Sequence, residues 1–210
     1  LGSPGLALAR EGKPSLAAQD LGSGLALITG AGANVVSFAS PEGVMLFDGG
    51  RREHAKALLK FALDTAGARR VHTLVNTHWH PEQTGSNEAV GRDGGTIIAH
   101  EVTRLALGAK VGNRSALYEG LYGPLAPEGI PTVTTYNTGS FEFAGEPVEY
   151  RYLPGAHTNG DLFVYFPRRN VLVANGVLEG FLHNTWSARR VGASSTASAV
   201  RGYASTPGVG

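Results

Sequence analysis

The chain has 210 residues, of which 30 are glycine and 11 are proline, and none is cysteine. A formal charge of +1, from 18 basic and 17 acidic residues, argues against nucleic acid as the main partner. The missing cysteine excludes disulfides, thiolate metal ligands and a cysteine nucleophile, so any metal here must be bound by histidine and carboxylate.

Composition divides the chain into three parts. Residues 1–22 are rich in small residues, and we expect a leader or a processed N-terminal segment. Residues 23–186 carry the patterns of a folded domain. Residues 187–210 are mostly small and contain three arginines but no acid, which predicts a low-complexity C-terminal segment. No apolar run approaches the roughly 18 residues of a membrane span, and the compartment stays open between cytoplasmic and periplasmic or secreted.

Apolar and β-branched runs separated by glycine-rich turns predict strands in two groups. The predicted strands cover residues 25–28, 34–38, 43–47, 71–76, 96–99, 133–136, 141–143, 148–153, 162–166 and 171–174. A helix with Ala55, Leu58 and Ala62 on one face is expected to end at Gly67. Further helices are expected from near Gly85 and over 101–107. Helices that alternate with strands in the first group predict an α/β (α+β) domain with two sheets.

Three histidines occur where strands meet loops. His78 and His80 follow the strand over 71–76, and residues two apart in extended backbone point to the same side. His157 lies in a glycine-rich loop just before a later strand. Three imidazoles with a fourth position left to water form a known catalytic zinc site. The alternative is a set of surface or hydrogen-bonded histidines, and Asp161 is expected either to orient His157 or to cap the next strand.

Residues 77–85, Thr-His-Trp-His-Pro-Glu-Gln-Thr-Gly, resemble the signature loop of the metallo-β-lactamase superfamily, His-x-His-x-Asp-His followed by glycine. The segment 47–50, Phe-Asp-Gly-Gly, is similar to the family's early Asp-x-Gly motif, and 156–158, Ala-His-Thr, to its third-histidine motif. The resemblance covers about residues 34–178. It implies a four-layer αββα sandwich and metal binding by His78, His80 and His157, and it leaves open whether the C-terminal part is complete.

The second metal site of the family is altered in this sequence. Glu82 and Gln83 stand at the aspartate and histidine positions of the loop, and Gly176 stands where a bridging aspartate is expected. Glutamine is a poorer zinc ligand than imidazole. We therefore expect one zinc ion more readily than two, without excluding iron, and Glu82, Gln83 and His183 stay open as additional ligands.

The resemblance implies a zinc-dependent hydrolase of a small ester, lactone, lactam or thioester. The metal would lower the pKa of its bound water to about 7, and the hydroxide would attack the carbonyl. Glu82 is then a candidate general base, and Asp48 a candidate support for the loop that carries His78. The expected partner is a small molecule, with the oligomeric state open.

Two other readings remain. One is a catalytically impaired or non-catalytic metal-binding member of the same fold. The other is a mononuclear iron oxygenase, in which Glu82 would have to complete a set of two histidines and one carboxylate.

Overall fold

A computed structural model of the chain describes residues 14–109 and 123–175 and the backbone of 188–190. His183 and Gly176, both named by the sequence patterns, lie outside these residues. The described strands are β1 (Ala17–Gly22), β2 (Leu25–Thr29), β3 (Val35–Ser40), β4 (Gly43–Phe47), β5 (Val71–Val75), β6 (Thr96–His100), β7 (Val133–Thr135), β8 (Gly139–Phe143), β9 (Glu146–Tyr152), β10 (Leu162–Phe166), β11 (Val171–Val173) and β12 (Ala188–Arg190). The α-helices are α1 (Ala55–Ala66), α2 (Pro81–Thr84), α3 (Asn87–Arg92) and α4 (Glu101–Gly108). None of the described helices has the length and apolar character needed to cross a membrane.

The strands form two sheets. The first has seven strands in the order β1 to β7, and its neighbours are antiparallel up to β4 and parallel from β4 to β7. The second has five antiparallel strands in the order β12-β11-β10-β9-β8. Because β4 to β7 are parallel, their carboxyl ends meet at one edge of the first sheet.

Strand β4 is buried on both faces, and its alternation separates two hydrophobic cores. Met45 and Phe47 pack with Phe166 and other residues of the second sheet in the core between the sheets. Val44 and Leu46 point the other way and pack with α1 and α3. A strand buried on both faces reads as a continuous apolar run rather than an alternating one. Among the described residues the layers are thus helices, first sheet and second sheet, which confirms the predicted α/β (α+β) class with two sheets.

The structure confirms the predicted strands to within a few residues and places the end of α1 at Gly67, which adopts the left-handed conformation typical of a C-terminal cap. Three elements differ. Strand β12, in the segment predicted to be of low complexity, pairs with β11. Residues 17–22, assigned to the leader, form β1 on the edge of the first sheet. The helix expected from Gly85 is two short helices, because Pro81 begins α2 and Gly85 separates it from α3.

Candidate metal centre

Three imidazoles from loops of the two packed sheets lie close together. His78 and His80 lie in the loop after β5, and His157 lies in the loop between β9 and β10. Their ring centroids are 4.8 to 4.9 Å apart, and the three possible ligand atoms lie within 4.8 Å of one another. The structure therefore brings together the three histidines that the sequence pattern singled out.

The nitrogen atoms of this group face each other at a spacing that suits a metal ion. His157 Nε2 lies 3.1 Å from His80 Nδ1, whereas two ligands held tetrahedrally at the Zn–N distance would be roughly 3.3 Å apart. His78 Nε2 is buried and has no hydrogen-bond partner among the described residues. A buried imidazole nitrogen without a partner is costly unless a ligand satisfies it. The donor set, three neutral imidazoles, therefore fits a divalent ion such as zinc.

The three rings differ in exposure, which gives the site a closed side and an open side. His78 is fully buried, His80 is half-buried and His157 is exposed. Burial, followed by the nearby His80 and His157 rings, lowers the pKa of His78 from 6.5 to about 2. The neutral form that can bind a metal is therefore the form that the fold enforces at His78.

Asp48 supports the loop that carries His78. Its carboxylate is fully buried and accepts hydrogen bonds from the Thr77 backbone N–H at 2.8 Å and from the Thr77 hydroxyl at 2.8 Å. Thr77 Oγ1 also lies 3.1 Å from His78 Nδ1. Asp48 thus reaches the imidazole through a single hydroxyl group, whereas the partner of a metal-binding histidine commonly contacts its ring N–H directly.

Asp161 supports the loop that carries His157, as Asp48 supports the loop that carries His78. Its Oδ2 accepts hydrogen bonds from the backbone N–H groups of His157 at 2.6 Å and Thr158 at 2.7 Å, and its Oδ1 accepts from the Thr158 hydroxyl at 2.6 Å. This buried carboxylate closes the loop on itself and fixes the backbone from which His157 projects.

Glycines allow the loops of the first sheet to pack closely. The Gly49 backbone N–H donates to the Gln83 carbonyl at 2.6 Å, and the Gly85 N–H donates to the Gly50 carbonyl at 2.9 Å. A Cβ at Gly85 would lie 2.2 Å from the Arg52 nitrogen. These hydrogen bonds hold the loop after β4 against helix α2, which follows His80.

The remaining candidates occupy less defined positions. Glu82 is half-buried, its carboxylate has no hydrogen-bond or ion-pair partner among the described residues, and it is not part of the three-histidine group. Gln83 is buried, and its side-chain oxygen lacks a partner among the same residues. His183 lies outside the described residues.

Sequence reasoning assigned no role to two residues that contact Asp48. Thr77 donates to its carboxylate from both the backbone and the side chain, and Asn175, two residues after β11, donates through its side-chain amide. A threonine between a strand end and a histidine is a detectable signal for the first. Asn175 has no such local signal, since Asp48 is 127 residues away in the chain.

The family model of the metallo-β-lactamase superfamily matches residues 28–175. The model of the PmbA/TldA metallopeptidase C-terminal domain matches residues 167–210, most of which lie outside the described part. None of the curated proteins compared with the chain matches it.

Several solved structures share the fold. A metallo-β-lactamase from Pontibacter korlensis is 24% identical with a TM-score of 0.60, covering 76% of this chain and 70% of that one. An enzyme from Cronobacter sakazakii with a HARLDQ motif is 17% identical with a TM-score of 0.61, covering 76% and 62%. BJP-1 of Bradyrhizobium japonicum, a subclass B3 metallo-β-lactamase, is 17% identical with a TM-score of 0.60, covering 71% and 56%.

Most of these relatives are considerably longer than the matched region. The chain spans less than two thirds of the length of the Cronobacter and Bradyrhizobium proteins. At these identities, the likeness establishes the fold and no more.

Proposed function

Because the chain belongs to the metallo-β-lactamase superfamily, we propose that it is a metal-dependent hydrolase whose ion is bound by His78, His80 and His157. The observation that carries the proposal is the convergence of these three imidazoles from loops of two different sheets. Histidines that served only as surface residues would not need a buried member whose Nε2 has no partner among the described residues.

The proposed reaction is attack of water on a small carbonyl substrate, namely an ester, lactone, lactam or thioester. A divalent ion held by three neutral ligands keeps its full charge and can lower the pKa of a coordinated water to about 7. The protein contributes the arrangement around this group. His78 anchors the site in the core, and the exposed His157 marks the side from which a substrate would enter.

Glu82 is the proposed proton acceptor. It follows His80 by two residues at the start of α2, where the Pro81 ring restricts the backbone. A carboxylate without a partner among the described residues is available to orient water or to accept its proton. Its absence from the three-histidine group favours a role beside the ion over a role as a ligand.

We propose zinc as the metal and one ion as the number. The second metal site of the superfamily would need ligands where this chain has Glu82 and Gln83. The HARLDQ motif named for the Cronobacter relative also ends in glutamine. Since an amide oxygen binds zinc less well than imidazole, a one-ion site is the simpler outcome.

Metal analysis combined with an activity panel tests the proposal. The purified chain should contain about one equivalent of zinc and should hydrolyse at least one member of a panel of esters, lactones, thioesters and β-lactams. A chelator should abolish turnover, and added zinc should restore it. Absence of any bound metal would refute both the ligand assignment and the activity.

A second function has a specific observation in its favour. Glu82 and Gln83 replace the usual loop ligands, and the Glu82 carboxylate has no partner among the described residues. Both features are also expected of a member of the fold that binds a metal but has no turnover. One equivalent of metal with no hydrolysis across the panel would identify this alternative. Bound iron with oxygen-dependent turnover would instead identify the oxygenase reading.

A further inference from the structure

Asn175 lies where the sequence led us to look for a metal ligand, but its side chain contacts a carboxylate. The residue lies two positions after the end of β11, directly before the position at which the bridging aspartate was expected, and it is buried. Its side-chain nitrogen donates a hydrogen bond to Asp48 Oδ2 and a second one, of 3.0 Å, to the Asn34 carbonyl. Both N–H bonds of the amide can therefore be used, and the acceptors lie just before β3 and just after β4 of the first sheet.

Asp48 has an unusual backbone conformation and a fully buried side chain. Its backbone φ is +66°, in the left-handed region that non-glycine residues seldom occupy. The side chain is fully buried and receives donors from two directions, Thr77 and Asn175. Such strain persists only when the surroundings fix it, and it clusters at functional sites.

The Thr77 hydroxyl transmits the orientation of Asp48 to His78. The Asp48 carboxylate accepts a hydrogen bond from the Thr77 hydroxyl at 2.8 Å, so the single hydroxyl proton of Thr77 points at Asp48. The oxygen of Thr77 is then an acceptor for His78 Nδ1, 3.1 Å away. A hydrogen bond to this oxygen requires the His78 proton on Nδ1, which leaves the Nε2 lone pair free, and Nε2 is the buried atom without a partner among the described residues.

We infer that Asn175 is a positioning residue that holds Asp48 so that the Asp48–Thr77–His78 chain fixes His78 in the Nδ1–H tautomer and presents Nε2 to the metal. The inference rests on the proposed function for the identity of the bound group, but the tautomer itself is a property of the metal-free chain. An amide is required at position 175, because an aspartate there would supply no donor and would place two carboxylates against each other.

The tautomer can be measured directly. In chelator-treated protein labelled with ¹⁵N-histidine, long-range ¹H–¹⁵N spectra distinguish Nδ1–H from Nε2–H, and His78→Gln identifies the His78 signals. We expect His78 to be Nδ1–H in the wild type and in Thr77→Ser, which keeps the hydroxyl. Thr77→Val, Asn175→Ala and Asn175→Asp should shift the population toward Nε2–H.

Zinc affinity provides the second readout. Competition with a chromophoric chelator should show a 10- to 100-fold loss for Asn175→Asp, the effect typical of a residue that supports a metal ligand. The matched control is Asn170→Asp, in the exposed turn before β11, where aspartate keeps the acceptor that the Tyr165 hydroxyl uses. This control should bind zinc as the wild type does.

The outcomes separate the two claims. An Nε2–H tautomer in the wild type, or an unchanged tautomer and zinc affinity in the folded Asn175 variants, overturns the inference. If Asn175→Asp does not fold, Asn175→Ala and Thr77→Val decide it. A wild-type chain that binds no zinc refutes the proposed function, whereas the tautomer of the same metal-free sample still decides the role of Asn175.

Discussion

His157 Nε2 lies 3.1 Å from His80 Nδ1, although the two residues are 77 positions apart in the chain. One belongs to the loop after β5 in the first sheet, and the other to the loop between β9 and β10 in the second. One backbone hydrogen bond ties these loops, from the Leu162 N–H to the Thr77 carbonyl at 2.8 Å, and a second, from the Leu153 N–H to the Asp161 carbonyl at 3.0 Å, closes the loop that carries His157. The group therefore depends on correct packing of the two sheets.

Replacing either member of this pair should remove the metal. We expect His80→Ala and His157→Ala each to lower zinc affinity by more than the roughly 10- to 100-fold caused by losing a supporting residue. His54→Ala, at the start of α1 and without a side-chain capping bond, is the matched control and should bind normally. Chelator competition measures the effect, and equal affinities in all three variants would rule out the ligand assignment.

The metal-free protein should lose stability as the pH falls. His78 has a pKa of about 2 in the fold but about 6.5 in the unfolded chain, so between these values the unfolded state binds one more proton. The stability linked to His78 is complete above pH 6.5 and should decrease by about 1.4 kcal/mol per unit below it. Urea unfolding in the presence of a chelator at pH 7.5, 6.5 and 5.5 measures the slope.

The control for this pH dependence is the variant His78→Gln, which removes the titrating ring. Its stability should decrease less steeply over the same range, because the other groups are unchanged. Parallel slopes for the wild type and the variant would show that His78 is not held neutral in the fold.

Glu82→Gln should separate chemistry from binding. Loss of a general base reduces turnover by about 10²- to 10⁴-fold, while zinc content should stay at the wild-type level because Glu82 is outside the three-histidine group. Elemental analysis and steady-state kinetics on the same preparation make the comparison. A variant that loses its zinc would instead identify Glu82 as a ligand.

Much of the fold follows from local sequence patterns. Strand β4 (Gly43–Phe47) is a continuous apolar run after its first glycine, and α1 shows one apolar face ending in a glycine cap. Strand β1 escaped prediction because Ala-Ala-Gln-Asp-Leu-Gly has no β-branched residue and no buried face. The strand is stabilised by its antiparallel pairing with β2, since its residues have little intrinsic preference for a strand.

Some residues of the candidate site could likewise be predicted from the sequence, and others could not. His78 and His80 could be selected because two residues of a strand end share one side, and the family motif extended that choice to His157. Asn175 could not be selected, since its partner Asp48 lies 127 residues away and nothing near Asn175 indicates the contact. The buried amide pair Asn76–Asn87 was also missed, although its members are only 11 residues apart.

Gly85→Ala should destabilise the segment after β5 that carries His78 and His80. A Cβ there would lie 2.2 Å from the Arg52 nitrogen and 2.4 Å from the Gly50 carbonyl oxygen, both backbone atoms that cannot turn away. We expect a loss of at least about 2 kcal/mol in the free energy of unfolding, within the range for overpacking, and weaker zinc binding. Gly108→Ala, whose nearest atom would be 4.0 Å away, is the control for adding a methyl group.

Asp161→Asn should weaken zinc binding through the backbone of His157. Asp161 Oδ2 accepts from the N–H groups of both His157 and Thr158, and its Oδ1 accepts from the Thr158 hydroxyl. An amide has a single oxygen, so its NH₂ group would face a donor that needs an acceptor.

We therefore expect about a 10-fold or greater loss of zinc affinity, as for other residues that orient a ligand, together with a lower melting temperature. The two effects can be distinguished from simple unfolding by measuring zinc affinity well below the melting transition. Asp64→Asn, on the exposed face of α1, where Asp64 pairs only with Lys60 among the described residues, serves as the control. Wild-type affinity in folded Asp161→Asn would mean that the loop holds His157 in place without this carboxylate.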